Sequence, residues 1–186
     1  MLTVAMVCVP GGEYDRTHVR RLAIQVGKHL GRPFTLQSIV KSDKPGWWAK
    51  IDLFQPGRFR GRVLYLDLDT TVVGSLVDIV DFPHPFACIK DYQHPLTMNS
   101  SVMVWDAGEG DAIYNNFRPA VMKQFHGDQG YISHTMPGAA RFPAPWCVSY
   151  RQSVQSTGIV PDDARVVVWH GQPKPWTLEE LTCPTS

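Results

Sequence analysis

The chain predicts an α/β domain built on parallel strands, and three observations point to it. The apolar run Thr3 to Val9 breaks at Pro10-Gly11-Gly12, a helical pattern follows, and Phe34 to Val40 then alternates as a second strand. A β-loop-α-β opening of this kind is how α/β proteins build a nucleotide crevice at the carboxyl ends of parallel strands. A later apolar run, Val63 to Leu66, reads as a buried strand that stops at two carboxylates, Asp67 and Asp69. Finally, no repeat, low-complexity stretch or linker divides the 186 residues, so residues 1–186 are expected to form one compact domain. With 44% hydrophobic residues, a chain of that length can bury a core without staples.

Each element has a local reason. Val19, Leu22, Ala23, Val26 and Leu30 recur at helical spacing, with Asp15 placed to cap the start and Gly31-Arg32-Pro33 to end it. Trp47 to Phe54 reads as a short helix with Trp48, Ile51 and Phe54 on one side, stopped by Pro56-Gly57. Thr71 to Val73 continues extended beyond the aspartates, and Phe86 to Ile89 and Ser101 to Trp105 look like further strands. Asp111 to Phe125 is helical but broken near Pro119, and a helix is expected over Asp128 to His134. Arg165 to Trp169 is the last strand, and the Pro-rich tail after it is expected to cross the surface as loop.

Composition excludes several classes. Cys8, Cys88, Cys147 and Cys183 are scattered, with no Cys-x-x-Cys spacing and no paired His, so they read as reduced thiols in a cytoplasmic compartment. The N-terminus shows no basic leader and no apolar run reaches membrane-spanning length, so no transmembrane segment is expected. Through Arg62 there are eleven Lys or Arg against four Asp or Glu, and beyond it seven against thirteen. The basic first half could attract phosphates, although a solvated helix face bearing Arg16, Arg20, Arg21 and Lys28 explains most of that excess. With a net charge of +1 and no zinc-finger or RNP-like signature, nucleic acid is not an expected partner. Pro10-Gly11-Gly12-Glu13 matches neither a dinucleotide fingerprint nor a phosphate-binding P-loop, which argues against those sites.

The chemistry concentrates at Asp67 and Asp69. Side chains alternate along a strand, so the two carboxylates can point the same way at its end and share one divalent cation with a diphosphate. A bound cation would offset charge on a leaving phosphate. The plainer reading is a strand end followed by a turn.

Five segments, in order along the chain, resemble glycosyltransferase family 8, which includes glycogenin and bacterial lipopolysaccharide galactosyl- and glucosyltransferases. Trp48 to Phe54 resembles the family's helix bearing a basic residue, and Val63 to Val73 its Asp-x-Asp core. Asn99-Ser100-Ser101 resembles the Asn-Ser-Gly strand and Gly127-Asp128-Gln129-Gly130 the Gly-Asp-Gln-Gly turn. Val168 to Trp176 resembles the closing His…Gly…Lys-Pro-Trp segment. The resemblance implies a GT-A-like, Rossmann-like α/β/α sandwich with a mixed, mainly parallel central sheet. It also implies a metal-dependent retaining hexosyltransferase that takes a UDP-sugar donor. The acceptor, a sugar, lipid-linked or protein molecule, is left open, as is the choice between a carboxylate nucleophile and same-face attack.

The same resemblance assigns residues. Asp67, Asp69 and His170 would hold Mn2+ or Mg2+, with Leu68 between the carboxylates in contact with the donor. Lys174, four residues from His170, would face the diphosphate, with Gly171 allowing close backbone approach. Val9, Gly12 and Tyr14 occupy the region where relatives seat the base, and a ring there could stack on uracil. Asp128, Gln129 and Asn99 would lie near the transferred sugar, Gln129 supporting Asp128, and Lys50 would bridge the metal carboxylates and the donor. Each has a bland counterpart: a helix cap for Asp128, a turn for Asn99, a packing ring for Tyr14, a solvated charge for Lys174, a snorkelling side chain for Lys50, and core or loop anchors for the tryptophans. Two features depart from the family. His170 and Lys174 are four residues apart where relatives commonly have six, and Ser101 stands where they carry glycine.

Two other functions use the same residues. Asp67-Leu68-Asp69-Thr70-Thr71-Val72 also fits the nucleophile motif of haloacid-dehalogenase-like phosphatases, although those enzymes place it on the first strand. A trimmed transferase fold that binds a nucleotide sugar without turning it over is the third reading.

Overall fold

The computed structural model describes residues 1–94 and 96–177. Strand β1 (Leu2–Val7) leads to helix α1 (Arg16–Leu30) and strand β2 (Thr35–Ile39). A 3-10 helix over Gly46–Phe54 precedes β3 (Arg62–Leu66) and β4 (Thr70–Val72). Then come α2 (Val77–Val80), β5 (Phe86–Lys90), β6 (Met98–Asp106), α3 (Asp111–Asn115), α4 (Val121–Gln124), α5 (Asp128–Thr135), β7 (Ala140–Arg141), β8 (Cys147–Ser149) and β9 (Val166–Val168).

The main sheet has the order β2-β1-β3-β6-β5-β7. Strands β2, β1 and β3 are mutually parallel, β6 runs antiparallel to both β3 and β5, and β7 joins β5 in parallel. It is the mixed, mainly parallel sheet of an α/β sandwich. A smaller sheet, β4-β9-β8, packs beside it.

Alternation along the strands explains the layers. Val4 and Met6 of β1, Leu64 and Leu66 of β3, and Val102 and Val104 of β6 face one way, onto Leu22, Val26 and Leu30 of α1. Ala5, Val63, Tyr65, Met103 and Trp105 face the other way, onto Trp48, Ile51, Leu53 and Phe54 of the 3-10 helix and Tyr131 and Ile132 of α5. Both faces of the sheet are therefore covered.

Helix α1 begins and ends as its sequence demands. The Asp15 carboxylate accepts from the amides of Thr17 and His18, the His18 ring accepts from the Asp15 amide, and Gly31 closes the helix at φ 66° in the left-handed region. In the Gly46–Phe54 segment, Trp48, Ile51 and Phe54 recur every third residue, the 3-10 repeat, and all three are buried. Helical structure over Asp111–Phe125 divides into α3 and α4 around Pro119. Helix α2 and strands β7 and β8, together with a π-helical turn at Tyr150–Val154, are elements that sequence patterning does not predict.

Cys8, Cys88 and Cys147 are free thiols, and Cys183 lies outside the described residues, as does most of the tail expected to be loop. Among the described residues, no helix is long and apolar enough to cross a membrane.

Candidate active site

Two strand pairings deliver the candidate residues to one place. The antiparallel register of β3 with β6 pairs Leu66 with Val102, and one further bond, Asp67 amide to Ser101 carbonyl at 2.8 Å, sets Asp67 beside the Asn99-Ser100-Ser101 segment. The register of β4 with β9 pairs Thr70 with Val168, and the Trp169 amide reaches the Asp69 carbonyl at 3.3 Å. The second pairing brings Lys174, about a hundred residues later, onto Asp69, whereas His170, next to Trp169, turns to Ser149 and Tyr92.

Asp67 and Asp69 do not sit on the strand itself, which ends at Leu66. They flank a turn in which the amide and hydroxyl of Thr70 both donate to the Asp67 carbonyl, at 3.0 and 2.8 Å. The turn is clamped from α1, where Arg21 donates to the carbonyls of Leu68 and Thr70 at 2.7 and 2.8 Å. One turn on, Gln25 accepts from the Val72 amide at 3.1 Å. The side chain of Leu68 is buried in the core, so it contributes backbone geometry.

Around Asp67 lies a buried polar cluster. The Lys50 ammonium is 3.1 Å from Asp67, 3.1 Å from Asp128 and 3.1 Å from the Ser100 hydroxyl, and Ser100 donates to Asp128 at 2.9 Å. Tyr65 donates to Asp67 at 2.5 Å. Lys50 and Asp128 are 7% and 6% exposed, so neither is a snorkelling charge nor a simple cap. Burial alone would lower the Lys50 pKa, but Asp128 and Asp67 outweigh it and hold the ammonium above its usual range. Desolvation, then Asp67, pushes the Tyr65 phenol well upward, so it stays a donor.

Asp69 has a separate partner. The Lys174 ammonium lies 2.6 Å from it, and the Tyr14 hydroxyl donates to the same carboxylate oxygen at 3.0 Å while accepting from Lys174 at 3.1 Å. Lys174, 6% exposed, is a buried charge and not a solvated one. Burial and Asp67 push the Asp69 carboxyl upward, and Lys174 and Tyr14 counter only part of that. Burial, then Asp69, raises the Tyr14 phenol. Its ring meets His18 and Trp176 edge-on at 5.7 and 5.8 Å, and Trp176 in turn lies under Arg21. Val9 and Gly12 line the loop before it, half-buried and exposed respectively.

His170 hydrogen-bonds Ser149 through Nε2 at 2.6 Å and stacks on Tyr92 with ring centres 5.6 Å apart. Burial and then Arg151 lower its pKa, opposed by Asp69 and Asp91, so the imidazole is held neutral. Gly171, at φ 77°, turns the chain beside Arg151. Gln129 donates to Asp91 at 2.7 Å and so supports that residue rather than Asp128, and the Asn99 side-chain Oδ1 accepts from the Ser101 amide at 2.9 Å.

Asp67, Asp69 and His170 are residue types that a divalent cation takes, but the His170 Nε2 is engaged by Ser149. Among the described residues, no three His, Cys, Asp or Glu side chains are gathered as a metal cluster. Each aspartate instead carries a lysine. The sequence assigns no role to Tyr65, Ser149 or Tyr92 and gives Ser100 only as part of a motif, and Arg21, expected on a solvated helix face, is instead turned in to clamp the aspartate turn. Tyr65 was within reach of sequence reasoning, because it lies two residues before Asp67 and therefore shares its face of β3.

No protein-family model matches the chain, and no curated protein matches it in sequence. Solved structures do. GlyE, a glycosyltransferase of Streptococcus pneumoniae TIGR4, superposes with a TM-score of 0.69 at 14% identity over 94% of this chain and 55% of its own. The galactosyltransferase LgtC, solved with donor and acceptor sugar analogues, gives 0.67 at 12% identity over 94% of this chain and 89% of its own. A glycosyltransferase involved in the glycosylation of the major capsid of PBCV-1 gives 0.62 at 15% identity, covering 92% of this chain and 94% of its own. The chain thus spans little more than half the length of GlyE. At these identities the likeness speaks to architecture, and the architecture is the GT-A-like fold of glycosyltransferases.

Proposed function

We propose that the chain is a metal-dependent retaining glycosyltransferase that moves a hexose from a UDP-sugar to an acceptor. The observation that carries this reading is the meeting of Asp67, Asp69, Asp128, Lys50 and Lys174 at the end of β3 within a glycosyltransferase fold. Asp67, Asp69 and His170 would hold Mn2+ or Mg2+, which when bound supplies positive charge to the leaving diphosphate. Lys174 would add a second cation to the diphosphate, and Tyr14 would flank the base. Asp128, fixed by Lys50 and Ser100, would face the transferred sugar, with Asn99 nearby.

The test is a thermal-shift screen of UDP-sugars with and without manganese, followed by transfer assays. A manganese-dependent shift with one UDP-sugar is expected. Asp69→Ala should abolish donor cleavage while the fold persists, and undiminished turnover in that variant contradicts the assignment. A shift without cleavage or transfer across a broad acceptor panel supports the non-catalytic binding module, which the lysine on each aspartate favours. Release of phosphate from small phosphomonoesters supports the phosphatase reading. That reading has lost its scaffold, because the motif follows the third strand of a glycosyltransferase fold.

A further inference from the structure

The 3-10 helix over Gly46–Phe54 buries seven consecutive residues from Trp48 onward, yet its second residue, Trp47, is 59% exposed. In a 3-10 helix residues three apart eclipse one another, so Trp47 lies on the same edge as Lys50. Lys50 turns inward to Asp128. Trp47, one turn earlier, turns outward over the residue just before Asp128. A Cβ at Gly127 would lie 3.2 Å from the indole Nε1. Since Gly127 has φ −163°, an extended conformation open to any residue, room for the indole is what a side chain there would disturb. The exposed His126 ring lies 6.2 Å from the Trp47 ring, the planes 35° apart. The indole N–H makes no hydrogen bond among the described residues.

We propose that Trp47 and His126 form a platform for a pyranose of the acceptor, set beside Asp128; the assignment to the acceptor rests on the glycosyl-transfer reading above. An indole offers a flat apolar face for the C–H face of a sugar, while its free N–H and the neighbouring imidazole offer hydrogen bonds to hydroxyls at the ring's edge. The other side of the centre is already committed to Tyr14, Asp69 and Lys174, where the donor diphosphate belongs. The platform therefore serves the second substrate.

The test uses the full chain on an array of immobilised pyranose-terminated mono- and oligosaccharides, with UDP and manganese present. The unmodified chain is expected to bind a subset of the array. Trp47→Ala and His126→Ala should weaken that binding at least tenfold and Gly127→Val should do the same by displacing the indole. Trp47→Phe, which keeps a ring without the N–H, should retain part of it. Because Trp47 is at the surface, Trp47→Ala should melt like the unmodified chain, and its UDP-sugar thermal shift should be intact. No array binding by the unmodified chain, or equal binding by Trp47→Ala, overturns the platform. Trp47-dependent array binding without any UDP-sugar shift overturns the donor reading and leaves a saccharide-binding platform standing. The two failures are thus separable.

Discussion

The Lys174 ammonium lies 2.6 Å from the Asp69 carboxylate, joining residues 105 positions apart. The contact places a positive charge on the Oδ2 of a carboxylate proposed to hold the cation. Lys174→Met should therefore bind manganese alone more tightly than the unmodified chain, by about tenfold, or ~1.4 kcal/mol. It should also bind a UDP-sugar more weakly, since the diphosphate loses a cation. Calorimetric titration with the metal and then the donor separates the two effects. Weaker metal binding by the variant would refute the competition.

Lys50 neutralises a buried carboxylate, Asp128, and a half-buried one, Asp67, at once. In Lys50→Met, Asp67 and Asp128 are left facing each other without a counter-charge, and losing one partner of a buried ion pair costs about 3–5 kcal/mol. For a chain of this length, that lowers the melting midpoint by roughly 10 °C. An unchanged midpoint in thermal denaturation would show that the cluster is hydrated.

Arg21 touches neither aspartate side chain, yet it grips the carbonyls on both sides of Asp69. Arg21→Ala frees those carbonyls and loosens the turn. The chain should still fold, losing about 1–3 kcal/mol, while manganese affinity falls by about tenfold. Comparing denaturant midpoints with metal titrations tests this, and unaltered metal affinity would count against a positioning role.

His170 sets an acid limit. Its pKa lies below the ordinary 6.5 through burial and Arg151, so the folded chain resists a proton that the unfolded chain accepts. The sign follows from linkage: stability and manganese-assisted donor binding hold level above pH 6.5 and decline as the pH falls below it. His170→Gln should flatten that decline. Binding isotherms measured from pH 8 to pH 5 decide the matter, and an identical profile in both proteins would sink the role given to the imidazole.

What the sequence disclosed depended on distance along the chain. Asp15 and Gly31 announce the two ends of α1 because capping is settled within a few residues. Helix α2 and strands β7 and β8 did not announce themselves, being two to four residues long and too brief for any periodicity. The candidate residues were legible as strings, whereas their pairings were not. Lys50 meets Asp128, and Lys174 meets Asp69, only through strand register and packing that no local pattern encodes. Trp47 shows the same limit, since five tryptophans read alike as core or loop anchors while the structure buries Trp48, Trp105 and Trp169 and leaves Trp47 and Trp176 outside.

The two lysines are mounted differently. Lys50 rises from a packed helix against β6 and α5, whereas Lys174 arrives on a turn whose Thr177 amide returns to the Lys174 carbonyl. Under the function proposed above the two charges would answer a bound diphosphate unequally: Lys174 would exchange Asp69 for the newcomer on its short turn, while Lys50, fixed in the packed layer, would keep Asp128 aligned.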